Sequence, residues 1–220
     1  PAASSHPGTE IKVSELFFNT PARKKFLKSN TSEMNRIAGV VIPYTLIYPD
    51  KRFVLAQAGK HLLDLRPASG RKDRAAAVLN VDQKDLLETS QDFPQDHIYI
   101  KAILGNINIQ RSRRDTQYIF INSRPVESKS LGFAVNDVYR AILPPGVYGA
   151  FILDIRLDPA NVDVNIHPAK REVRIKDEAR LISIVRRLVE YTLMRFGSAR
   201  SLDSASAPVY EGGLSAPQMI

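Results

Sequence analysis

The side chains best able to do chemistry in this sequence are cations placed where they could meet phosphate. In DVNIHPAKREVRIK, residues 163–176, Val162, Val164 and Ile166 alternate with Asp163, Asn165 and His167. Val173 and Ile175 then alternate with Glu172, Arg174 and Lys176. Both runs have the two-residue period of half-buried strands. The period breaks at His167-Pro168-Ala169-Lys170. A loop held between two strands and stiffened by Pro168 extends one long cationic side chain, Lys170, away from the sheet, as a phosphate site requires. The alternative is a plain turn whose lysine is solvated.

Two further clusters invite the same chemistry. Arg23, Lys24, Lys25 and Lys28 lie within PARKKFLK, residues 21–28. Successive cations point around a helix, so some face solvent, where phosphate oxygens could replace water; a solvated helix face is the other reading. Arg111, Arg113 and Arg114 precede the run QYIFIN, and Arg124 follows it. Planar, bidentate guanidinium groups suit phosphate contacts, although a charged loop with Arg124 paired to Glu127 fits the same residues.

Other chemistries find little support. There are no cysteines, which excludes disulfides and thiolate metal sites and favours an intracellular setting. His6, His61, His97 and His167 form no ligand-spaced pair, so no metal is expected. No Gly-rich loop of the GxxxxGK[ST] type occurs, and no Ser/His/Asp set is recognisable. The beginning lacks the basic and apolar regions of a signal peptide, and no apolar run reaches membrane-spanning length, so no membrane partner is expected. The formal charge of +8 attracts polyanions.

The elements that must position these cations follow from periodicity. With 44% hydrophobic residues over 220 positions, the chain can bury a real core. Alternation predicts strands over 9–18, 52–56, 61–65, 98–104, 117–122 and 148–157. Thr20-Pro21 starts a helix, and another begins at Thr31 or Ser32, with Pro43 expected to end or kink it. Helices are predicted over 71–79 and 129–143, the latter stopped by Pro144-Pro145. Asp177 caps a long amphipathic helix running to Gly197, and the Ser/Ala/Gly/Pro-rich remainder reads as a linker. Strands often follow one another directly, which argues for an α+β domain.

Taken together, PGT at 7–9 with Val13 and LFFNTPARKKFLK at 16–28, QYIFINSR at 117–124, and DVNIHPAK at 163–170 with Glu172, Val173 and Arg174 resemble the MutL family of DNA mismatch repair proteins. The resemblance covers residues 8–196. It implies a transducer domain over 21–196, a two-layer α/β sandwich of the ribosomal-protein-like type shared with type II topoisomerases, with a left-handed crossover that departs from the usual hand. Residues 1–20 would be the terminal strand of an otherwise missing GHKL-type ATPase domain, and 197–220 a disordered interdomain linker. The catalytic signatures of that ATPase are not found here, so the intact protein is expected to use ATP and Mg while this chain alone is inactive and binds neither.

The resemblance also implies residue roles. Lys170 matches the lysine that contacts the terminal phosphate of ATP, and Gly8 and Thr9 match the edge of the nucleotide pocket. Arg124 matches an arginine implicated in DNA binding, in a motif that usually reads Asn-Gly-Arg; Ser123 stands here in place of the glycine. Arg23, Lys24, Lys25, Lys28, Arg111, Arg113 and Arg114 are added as DNA contacts by charge and location. Implied partners are DNA, the mismatch recognition protein MutS, a downstream repair nuclease or helicase, and a second copy in the intact protein, acting in the bacterial cytoplasm at the nucleoid. An RNA-binding or protein-interaction domain of the same fold is the alternative.

Overall fold

The computed structural model describes residues 7–163 and 173–197. The chain divides into two compact units, Pro1–Val40 and Val41–Ile220.

In the first unit, residues 9–14 form no strand. This corrects the strand expected over 9–18: Ile11 and Val13 alternate as a strand would, but they are 82% and 74% exposed, and alternation makes a strand only where a neighbour accepts its hydrogen bonds. A turn follows, with Glu15 and Phe17 at positive φ and the Phe18 N–H donating to the Glu15 carbonyl at 3.0 Å. Helix α1 (Pro21–Lys24) then begins with proline in its first turn, as the sequence predicts. Helix α2 (Asn30–Ile47) begins one residue before the predicted start and continues through Pro43. Proline there removes one backbone donor, and the Thr45 hydroxyl donates to the Ile42 carbonyl at 2.8 Å within the same turn.

The second unit is built on a five-stranded sheet in the order β3-β4-β7-β5-β6, preceded by a separate hairpin of β1 (Phe53–Gln57) and β2 (Lys60–Leu65). Its strands are β3 (Leu86–Phe93), β4 (Ile98–Gly105), β5 (Gln117–Ile121), β6 (Arg124–Val126) and β7 (Phe151–Leu157). Neighbours are antiparallel except β5 and β7, which run parallel. A parallel pair needs a crossover connection, supplied here by β6 and helix α4 (Lys129–Arg140). A reciprocal side-chain pair ties the crossover to the strand it leaves: Gln117 Nε2 donates to Asn136 Oδ1 at 2.9 Å, and Asn136 Nδ2 donates to Gln117 Oε1 at 3.0 Å.

Period-two alternation sorts the sheet's side chains onto two faces. On one face, Ile100, Ala102, Leu104, Ile119, Ile121, Leu153 and Ile155 pack against Leu131, Val135 and Tyr139 of α4 and against Leu181, Ile184, Val185 and Leu188 of α5 (Glu178–Gly197). This pairing is the expected sandwich, and each fully buried aliphatic side chain in it contributes about 1.5–3 kcal/mol. The opposite face carries a second cluster, in which Ile103, Phe120 and Ile152 pack with Leu46 and with Ala75, Ala76 and Leu79 of α3 (Arg71–Leu79). Asp154 also lies on that face, buried and ion-paired with Arg71.

Side chains cap two helices, Asp177 as the sequence predicts. The Ser128 hydroxyl accepts from the Leu131 N–H at 3.2 Å at the start of α4, and the Asp177 carboxylate accepts from the Arg180 N–H at 3.2 Å at the start of α5. Among the described residues, no helix is long and apolar enough to cross a membrane.

Candidate functional site

The loop expected to present Lys170 is rooted in a two-stranded ladder, β8 (Val162–Asp163) against β9 (Arg174–Ile175), with Val162 opposite Ile175 and Asp163 opposite Arg174. Of the flanking strands predicted from the alternation, Val162–Asp163 and Arg174–Ile175 are present, with Ile175 buried against the main core. Residues 164–172, including Lys170, lie outside the described residues.

The turn carrying Arg124 lies at the same end of the sheet. Asn122 and Ser123 form the two-residue connection of the β5–β6 hairpin, both at positive φ, 49° and 62°. Two left-handed residues give the twist that a tight hairpin needs. Ser123 thus adopts the backbone conformation that glycine adopts at lower cost. The Asn122 N–H donates to the Ile155 carbonyl at 2.9 Å, and Asn122 Oδ1 accepts from the Leu157 N–H at 3.0 Å. The turn is thereby fastened to the end of β7, from which the chain passes through a short turn, Pro159–Asn161, into β8. Arg124 is half-buried, and the root of the Lys170 segment begins five residues after the last residue of β7.

Arg111, Arg113 and Arg114, the other arginines that bracket QYIFIN, do not join them. Arg111 forms a backbone bridge with Tyr148, ahead of β7, at the opposite end of the sheet. The seven residues of β7 separate the two groups by about 20 Å along the strand. The four arginines that bracket QYIFIN in sequence are therefore two sites in space.

The arginines at this far end are also unlike one another. Arg111 Nη2 donates to the Leu79 carbonyl at 2.6 Å, satisfying the last turn of α3, whose cap residue Asn80 is left-handed. A cation at a helix C-terminus is favoured by orphan carbonyls and the dipole. Arg111 is thus turned inward as a structural group, which counts against the phosphate role expected of it. Arg113 and Arg114 are exposed. The Arg114 guanidinium lies over two rings, 4.6 Å from the centroid of Tyr148 and 5.3 Å from that of Phe133. The sequence did not mark Phe133 or Tyr148. One signal was available: Phe133 lies off the stripe of Leu131, Val135 and Tyr139 that α4 buries, and it is 51% exposed.

In unit one, Arg23 and Lys24 lie in α1 and Lys25 follows as its cap; with Lys28 they are all exposed. The Lys28 N–H donates to Glu33 Oε1 at 3.0 Å, which also accepts from Arg36 at 3.2 Å. Gly8 and Thr9 are exposed. Exposure leaves these residues accessible to a ligand and equally to water.

The mixed sheet with a β5–α4–β7 crossover, together with the arginine turn and the hairpin-rooted segment at one end of it, defines a transducer-type α+β domain. The chain matches the family described as "DNA mismatch repair protein, C-terminal domain" over residues 76–194, and it belongs to that family. Curated relatives named DNA mismatch repair protein MutL include those of Rhizobium etli, 35% identical over 93% of this chain and 33% of the relative, and of Acidobacterium capsulatum, 31% identical over 94% and 35%. The chain spans about a third of the length of such relatives and corresponds to the transducer part of the N-terminal region.

Solved structures agree on the fold. The N-terminal domain of a DNA repair protein superposes with a TM-score of 0.68 at 24% identity, covering 86% of this chain and 61% of that one. The Aquifex aeolicus MutL ATPase domain complexed with ADP gives 0.56 at 24% identity, covering 80% and 55%.

Proposed function

We propose that this chain is the transducer of a MutL-type protein, over residues 21–196, coupling ATP binding and hydrolysis in an adjoining domain to clamping of DNA. In the intact protein that coupling signals between mismatch recognition by a MutS-type partner and strand removal by a repair nuclease or helicase, with a second copy completing the clamp. The observation that carries the reading is the convergence at one sheet end. The chain passes from the end of β7 through Pro159–Asn161 into the hairpin that roots the Lys170 segment, and the turn presenting Arg124 is fastened to that same end of β7.

Lys170 acts electrostatically in this reading. Its ammonium neutralises charge on the terminal phosphate of ATP, with Mg supplied with the nucleotide; Gly8 and Thr9, in the first unit, are proposed as further nucleotide contacts. Arg124 meets the DNA backbone, and the exposed cations of the first unit are proposed separately as DNA contacts. Because the β8–β9 ladder follows directly on β7 and the Arg124 turn is bonded to the end of β7, occupancy of the nucleotide site and the position of the DNA-facing turn are linked through that strand. The chain alone is expected to leave ATP unhydrolysed.

DNA binding by the chain tests the surface. Phosphate neutralisation dominates such contacts, so binding should be salt-sensitive and independent of sequence. Fluorescence anisotropy with two unrelated duplexes should show Arg124→Glu weakening both equally, by about tenfold. Unchanged affinity for both would remove Arg124 from the interface.

A further inference from the structure

We infer that Arg114 is the phosphate-contacting arginine of the loop at the far end of the sheet, and that Phe133 and Tyr148 are positioning residues which hold its guanidinium for that contact. The inference deepens the DNA-binding reading above and rests on it.

The backbone makes the assignment. The Arg111 N–H donates to the Tyr148 carbonyl at 2.9 Å, and the Tyr148 N–H returns a bond to the Arg111 carbonyl at 2.8 Å. That bridge fixes the Tyr148 ring beside the loop, while the Arg111 guanidinium is committed to Leu79. Three residues later the chain lays Arg114 on the same ring, 4.6 Å from its centroid, and within 5.3 Å of Phe133. Phe133 is half exposed on α4, off the stripe that packs against the sheet. A large aromatic in that position does little for the core, and its face is taken by Arg114.

The geometry suits phosphate for a reason peculiar to guanidinium. Stacking on rings uses the faces of the planar group, whereas phosphate oxygens are bound by N–H bonds lying in its plane. Both contacts are therefore satisfied at once. An arginine held over two rings also has fewer rotamers to lose when it binds. Lysine, a point charge without a planar face, cannot make both contacts.

A double-mutant cycle in duplex-DNA anisotropy, run with the full chain across a salt series, tests the inference. Arg114→Ala should reduce the slope of log K against log salt by about 0.9, one phosphate contact. Phe133→Leu should weaken binding about threefold in the unmodified background and not at all when combined with Arg114→Ala, while Phe133→Tyr, which keeps the ring, should bind as the unmodified chain does. Phe133→Leu costing as much with Arg114 absent would show the ring acting on DNA directly, and an unchanged slope for Arg114→Ala would show that it meets no phosphate; either overturns the inference but leaves Arg124-dependent binding standing. Absence of salt-sensitive binding by the unmodified chain overturns the DNA reading itself, and this inference with it.

Discussion

The Tyr139 ring occupies the space in which Gly149 would carry a side chain. A Cβ at Gly149 would lie 2.3 Å from Tyr139 Cε1 and 2.4 Å from Cζ. The ring has no room to retreat, since its hydroxyl donates to the Gly105 carbonyl at 2.8 Å and to the Ala150 carbonyl at 3.2 Å. Helix α4 is thus held against the sheet at the point where β7 begins.

Gly149→Ala should therefore destabilise the chain by about 3 kcal/mol, lowering the thermal midpoint by about 6–12 °C. Gly132 offers the control, because a Cβ there meets nothing within 4 Å. Gly132→Ala, within α4, should stabilise by about 0.5–1 kcal/mol. Equal midpoints for the two variants would contradict this packing.

Ser123 holds a left-handed backbone at φ 62°, a conformation that costs an L-residue about 1–2 kcal/mol. Glycine avoids that cost but loses more freedom on folding. Ser123→Gly should thus raise the denaturant midpoint by an amount equal to about 0.5–1 kcal/mol, without moving DNA affinity. A lowered midpoint would mean that the serine side chain supports the turn.

Alkaline pH should weaken the fold through two tyrosines. Burial pushes the Tyr118 phenol up to about 12, and burial raises Tyr139 further despite its bond to Gly105. Both stay neutral when folded and ionise near pH 10 when unfolded, so their contribution is present below about pH 10 and declines as pH rises beyond it. Tyr139→Phe should be less stable than the unmodified chain near neutrality, by about 1 kcal/mol for the lost hydrogen bond to the Gly105 carbonyl. That gap should narrow above about pH 10. A constant gap up to pH 11.5, about one and a half units above the free phenol, would contradict a buried neutral Tyr139.

Much of the fold was legible because its central elements bury one regular face. Ile98, Ile100, Ala102 and Leu104 alternate cleanly, and α5 carries an apolar stripe from Leu181 to Leu193. Strand β3 was not legible: as an edge strand it faces solvent with Glu88, Ser90 and Asp92, so LLETSQDF lacks the alternation of a half-buried strand. The opposite error arose at 9–14, where alternation is present and no pairing neighbour lies among the described residues. At the site, the hairpin rooting residues 164–172 was readable from a local pattern. The division of the arginines was not, since Arg111, Arg113 and Arg114 are equivalent in sequence and differ only in what tertiary packing brings to them: the Leu79 carbonyl, solvent, and two rings.

The coupling role is tested most directly by ATP turnover in the intact protein, comparing Lys170→Ala with Lys176→Ala as an exposed cation beside β9. Loss of a positive charge on the terminal phosphate should lower turnover by about 10²-fold in Lys170→Ala and abolish its response to DNA, with Lys176→Ala unaffected. Turnover by Lys170→Ala that equals the unmodified protein, with the DNA response intact, would contradict the proposal that this chain relays nucleotide state to DNA.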